Sequence, residues 1–109
     1  MTKSEIIDRV ADGTGLTKLE TEAVINGFLK TVVDALAAGE SVELRGFGTF
    51  RVKERAPRVG RNPKTGKIVE IDTQYVPHVK LSREVRRVID EAIKQAGIQP
   101  DTGPQSDDD

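Results

Sequence analysis

Thr49-Phe-Arg-Val-Lys-Glu-Arg55 runs without pause into Ala56-Pro-Arg-Val-Gly-Arg-Asn-Pro-Lys-Thr-Gly-Lys67. In the first seven residues Phe50 and Val52 alternate with Arg51, Lys53 and Arg55, the period-two pattern of a strand with one apolar and one basic face. From Ala56 to Lys67 no core pattern survives, only Pro57, Gly60, Pro63 and Gly66 among Arg58, Arg61, Lys64 and Lys67. Asn62-Pro-Lys-Thr-Gly66 has turn chemistry and predicts the tip of this excursion. Ile68 to Val76, rich in β-branched residues, predicts a returning strand. A two-stranded ribbon with a positive lining and an apolar tip suits a nucleic-acid groove, because Lys and Arg pair with phosphates while the tip reaches base steps. The plainer alternative is a solvated hairpin whose prolines only make turns. Seven Lys and Arg against Glu54 alone over residues 51–67 argue against it.

Upstream, Val42 and Leu44 alternate with Glu43 and Arg45 before Gly46-Phe-Gly48 turns the chain into the basic strand. Further back the period is helical. Thr2-Lys-Ser-Glu5 and Thr17-Lys-Leu-Glu20 both have capping-box spacing. The first predicts a short helix on Ile6, Ile7, Val10 and Ala11, stopped by Gly13 and Gly15. The second predicts a longer helix to about Ala38 with Gly39 as its cap. Its stripe of Ile25, Phe28, Leu29, Val32 and Leu36 is widened by Val24, Val33 and Ala35 to about half the circumference, beyond the ~100° of an ordinary surface helix. A symmetric partner is expected to cover the excess. Downstream, Ser82 caps a third predicted helix carrying Val85, Val88, Ile89, Ala92 and Ile93 on one face and ending at Gly97. Gln99 to Asp109 is polar and acidic and is expected to be disordered.

With 109 residues the chain has the length of a single domain. It has no Cys, which excludes a disulfide framework, a thiolate zinc site and a Cys nucleophile. Its one His, His78, cannot build a His-ligand metal site. No cofactor is implied, no nucleophile elbow or phosphate loop is present, and an enzyme is not expected. No run approaches the ~18 apolar residues of a membrane span, and the opening residues lack a secretory h-region, so a cytoplasmic protein is expected. The net charge of −1 conceals a strong asymmetry. Residues 1–44 carry −4, residues 45–87 carry +8, and residues 88–109 carry −5. An anionic partner for the middle block follows.

These motifs together resemble the bacterial histone-like HU/IHF family. The resemblance covers nearly all of residues 1–97 and rests on Met1-Thr-Lys-Ser-Glu5, Arg45-Gly-Phe-Gly-Thr-Phe50, Arg55-Ala-Pro-Arg58, Gly60-Arg-Asn-Pro-Lys-Thr-Gly66 and Tyr75-Val-Pro-His78. It implies an α+β fold, an intertwined dimer with a helical body and long β-ribbon arms (about residues 52–75) that embrace double-stranded DNA in the minor groove. It implies that Pro63 is the intercalating wedge, that Arg61, Asn62 and Lys64 flank it, and that Arg51, Lys53, Arg55, Arg58 and Lys67 line the arm. Lys3, Lys80, Arg83 and Arg86 would contact flanking phosphates, together with backbone N–H groups at Gly46 and Gly48. Glu43 and Arg45 become candidates for site preference; their bland alternative is a cross-strand ion pair of little energetic weight.

The function implied is DNA bending in the nucleoid, assisting transcription and recombination complexes. A site-preferring binder and a nearly non-specific one remain alternatives, as do a homodimer and a heterodimer with a sister subunit. A small RNA-binding protein is the alternative from another class, disfavoured because single-stranded RNA sites use stacking aromatics rather than a proline wedge. Departures from the family run from Val79 to Arg83, where an aromatic and a Pro-Gly turn are usual; they bear on the path into the third helix. His78 is expected to be structural or phosphate-facing. The acidic residues after Gln99 are expected to solubilise, or more sharply to act as a decoy competing with DNA for the arms.

Overall fold

The structure, a computed structural model, describes residues 1–101. It is α+β, with helices α1 (Lys3–Thr14), α2 (Lys18–Ala37) and α3 (Arg83–Ala96), and strands β1 (Val42–Leu44), β2 (Gly48–Arg55), β3 (Arg58–Arg61), β4 (Ile68–Ile71) and β5 (Gln74–Leu81). The chain divides into two compact units, Met1–Ala38 and the residues from Gly39 onward. Most of the segment 98–109 expected to be disordered, residues 102–109, lies outside the described residues.

The first unit is a helical hairpin. The box at Thr17 is complete: the Glu20 N–H donates to Thr17 Oγ1 at 3.1 Å and the Thr17 N–H donates to Glu20 Oε1 at 3.0 Å. The Thr17 N–H, then its hydroxyl, holds the exposed Glu20 carboxyl below the usual carboxylate range. Any stability this gives is full above the unfolded-state pKa and is lost as the pH falls through the folded one. At α1 only half of the box forms, the Glu5 N–H donating to Thr2 Oγ1 at 3.3 Å. Gly13 lies inside α1 rather than ending it; the stop is Gly15, left-handed at φ 79°, whose N–H donates to Ala11 O. At the end of α2 the cap is Ala38, and Gly39 follows it at φ 80°. Gly39 thus takes the left-handed position one residue after the observed cap, where the Cβ of another residue would strain the turn. Between the helices Ile7, Ala11 and Thr21 are buried, and Thr21 satisfies its hydroxyl on Thr17 O at 2.9 Å.

That core is small. On α2, Val24 and Val33 are 63% and 62% exposed, and Phe28 and Leu29 are each 47% exposed. At about 25 cal/mol per Å² of apolar area, this uncovered face is a large unused driving force for association.

In the second unit β1, β2 and β5 form an antiparallel sheet in that order, and β3 and β4 form a separate antiparallel ribbon. The stretch after Ala56 therefore contains a strand that hydrophobic patterning does not reveal, and the predicted returning strand is two strands broken at Asp72-Thr73. The arm is accordingly interrupted opposite that break by Ala56-Pro57, since Pro57 has no N–H to continue the ladder. Pro77 is tolerated inside β5 because β5 is an edge strand. The register puts Val42, Phe50 and Val79 in one row and Leu44, Gly48 and Leu81 in another. Val52 opposite Pro77 completes the apolar face.

Gly48 is where this sheet meets the start of α3. A Cβ there would lie 2.6 Å from Lys80 O and 2.9 Å from Leu81 Cα. Both are backbone atoms of a paired strand and cannot step aside. Gly48→Ala is expected to cost about 1–3 kcal/mol, the range for overpacking. A thermal melt that matches wild type would show that β5 can shift.

Candidate nucleic-acid interface

The chain enters β2 through a tight turn. The Phe47 N–H donates to Leu44 O at 2.9 Å, and Gly46 at φ 83° supplies the positive φ the turn needs. Ser82 locks this turn to the head of α3: its N–H donates to Phe47 O at 2.7 Å and its hydroxyl to Gly46 O at 3.3 Å. The same hydroxyl accepts from the Val85 N–H at 3.2 Å and caps α3. Leu81-Ser82, unusual at this point, thus builds an ordinary helix entry, and α3 starts where Ser82 predicts.

Cross-strand pairing then assembles the polar face opposite Phe50 and Val52. Glu43, Thr49 and Lys80 share one row, Arg51 faces His78, and Lys53 faces Val76. Glu43, Thr49, Arg51 and Lys80, with Arg45 from the turn and Arg83 and Arg86 from the first turn of α3, line an open cleft of about 300 Å³. Backbone at Gly46 and Gly48 forms a stretch of its wall. Among the described residues, no carboxylate forms an ion pair with Arg45, Arg51, Lys80, Arg83 or Arg86. Glu43 and Arg45 sit at the same end of the sheet, two residues apart in one chain segment, and the cross-strand ion pair offered as their bland reading is not formed. An adjoining hollow extends the basic surface past Lys53 and His78. Thr49 and Ser82 are not predicted as site residues; the place of Thr49 follows from register, which a single strand's pattern does not carry, and that of Ser82 from its bonds to the Gly46-Phe47 turn.

Beyond Ala56-Pro57 the ribbon carries the tip. The Asn62 N–H donates to Lys67 O at 2.8 Å, and the Gly66 N–H donates to Asn62 O at 2.7 Å, with Gly66 at φ 71°. Asn62 Oδ1 accepts from the Lys64 N–H at 2.9 Å, an Asx turn wrapped around Pro63. Asn62 is therefore a builder of the tip. Pro63 stands exposed at its apex between Asn62 and Lys64. Register separates the other arm residues: Arg58 and Gly60 share a face with Ile71 and Val69, whereas Val59 and Arg61 share the other with Glu70 and Ile68. The positive lining is thus spread over both faces of the ribbon. Arg55 is half-buried at the end of β2, unlike the exposed Arg51 and Lys53. Lys3 opens α1 in the first unit and is exposed there.

No group of acids and His capable of holding a metal ion occurs among the described residues, and none of their helices is long and apolar enough to cross a membrane.

The sequence profile of the bacterial DNA-binding protein family matches residues 1–90. The integration host factor subunit beta of Idiomarina loihiensis is 49% identical over 90 residues, covering 83% of this chain and 97% of that protein. The same subunit of Stutzerimonas stutzeri is 50% identical over 87 residues, covering 79% and 94%. Among solved structures, HU of Anabaena in a cocrystal with DNA superposes with a TM-score of 0.78 at 38% identity, covering 82% of this chain and 97% of that one. HU of Thermotoga maritima superposes with a TM-score of 0.60 at 29% identity, over 82% and 98%.

Proposed function

The chain belongs to the bacterial DNA-binding protein family, and from that premise we propose that it bends duplex DNA as a dimer, gripping phosphates with the cleft and prising base steps apart with Pro63. It is an architectural DNA-binding protein and not an enzyme. The observation that carries the mechanism is the tip: an exposed, rigid, apolar Pro63 held by the Asn62 Asx turn and flanked by Arg61 and Lys64. Arg45, Arg51, Lys80, Arg83 and Arg86 supply convergent cations for the backbone of the duplex, and backbone N–H groups near Gly46 and Gly48 add donors. Lys53, Arg55, Arg58 and Lys67 extend this grip along the arm, and Lys3 contributes from the body. Intercalation requires a continuous stack, which favours duplex DNA over single-stranded RNA.

The exposed face of α2 supports association, as does the half-exposed Phe47. A homodimer is the default for a single chain; pairing with a sister subunit is the alternative suggested by the relatives' naming as subunits. Light scattering on the purified chain is expected to return about twice the chain mass at micromolar concentration, and a folded monomer would contradict the dimer. Arg45 and Ala56-Pro57-Arg58 favour a site preference of the integration-host-factor kind, exercised in the cytoplasmic nucleoid. Selection from a random duplex pool tests it: an enriched motif supports site preference, and an unenriched pool returns the reading to a non-specific HU-like binder.

A further inference from the structure

The chain that carries the basic cleft also carries an acidic segment long enough to reach it. Residues 98–109 hold Asp101, Asp107, Asp108 and Asp109 and no Lys or Arg. The cleft holds Arg45, Arg51, Lys80, Arg83 and Arg86 against Glu43 alone, a net charge of +4 facing a segment of −4. Reach is adequate. α3 has 14 residues and, at ~1.5 Å per residue, carries the chain about 21 Å from the cleft. Ten extended residues from Ile98 to Asp107 return roughly 33 Å at ~3.3 Å each. Other cations along α3 are engaged: Arg87 with Glu84 at 3.3 Å and Lys94 with Asp90 at 3.0 Å. Arg83 and Arg86 are not, so the attraction is concentrated at the cleft.

We propose that the acidic end of this segment, Asp107–Asp109, occupies its own chain's basic cleft in the absence of DNA and is displaced by the phosphate backbone. The segment then acts as an intramolecular competitor that lowers the affinity for every duplex by the same factor. The proposal rests on the DNA-binding reading only for the competitor's role; occupancy of the cleft stands apart from it. A tethered segment has an effective concentration of about 1 mM, so an intrinsic dissociation constant of ~0.1 mM would weaken DNA binding about tenfold.

The test replaces Asp101, Asp107, Asp108 and Asp109 together by Asn in the full chain. Without DNA and at 50 mM salt, the backbone and guanidinium NMR signals of Arg45, Arg51, Arg83 and Arg86 are expected to differ between wild type and variant. They are expected to converge at high salt as screening shortens to a few ångströms. With a random-sequence duplex, the variant is expected to bind about tenfold tighter at 50 mM salt, the gap closing by 200 mM. Unchanged cleft signals, or changes confined to Arg58, Arg61 and Lys64 on the arm, would overturn the proposal. Failure of both proteins to bind duplex would instead overturn the DNA-binding reading and leave the NMR result to decide occupancy.

Discussion

Pro63→Ala is expected to keep the chain on DNA while removing much of the bend. In the proposed mechanism Arg61 and Lys64 attract the tip to a groove by charge and Asn62 shapes it, but none can force stacked base pairs apart by shape. Proline can, because its ring is compact and rigid and it brings no N–H to leave unpaired between bases. The Asx turn at Asn62 and left-handed Gly66 hold that ring at the apex, so little ordering is left to do on binding. Unstacking costs about a few kcal/mol per step, offset when the bent duplex reaches more basic surface, and wedges of this class are known to kink DNA by ~20–90°. The variant should therefore run as an unbent complex in circularly permuted duplexes at a salt concentration where both proteins bind. On a duplex nicked at the wedge step, where stacking is already broken, variant and wild type should bend alike. If Pro63→Ala bends the intact duplex as sharply as wild type, Pro63 is a turn residue only.

The second large effect is electrostatic. In the proposed dimer the five cations of the cleft and those of the arm are doubled, enough to neutralise several phosphates per complex. If ~6–10 are, affinity should fall by ~10³–10⁵ between 50 and 200 mM salt. A titration by fluorescence anisotropy checks this, and a nearly flat response would mean that the basic residues do not grip the backbone. The acidic segment would blunt the low-salt end of the curve in wild type and not in the Asn variant, so the slope is best read on both.

The elements bounded by side-chain chemistry are legible in the sequence. Thr17 with Glu20, and Ser82, fix the starts of α2 and α3 through hydrogen bonds that the residue types themselves supply. The change of period at Val42 marks the passage from helices to strands, and the resemblance to the HU/IHF family implied the α+β class. β3 was not legible, because Arg58–Arg61 has no apolar face against a core and is held by backbone pairing with β4. The interruption of the arm was written in Pro57 but depends equally on Asp72-Thr73 across the ribbon, which only pairing reveals. For the site, charge counting found the cations but not their grouping. Thr49 meets Glu43 across a short turn, but Arg51 meets His78 and Thr49 meets Lys80 because of a register set by strands some 30 residues apart in the chain. Asn62, legible as part of the turn, shapes the tip through a bond the pattern does not specify, its Oδ1 accepting from the Lys64 N–H.

Bending by the unmodified protein tests the central claim most directly. A short intact duplex carrying a donor and an acceptor at its ends reports their separation by energy transfer. On saturation with the wild-type chain at low salt, transfer is predicted to rise as the ends approach, in step with the binding measured by anisotropy. Binding to saturation with the end-to-end transfer unchanged would leave a DNA-binding protein that does not bend its duplex, and would contradict the account.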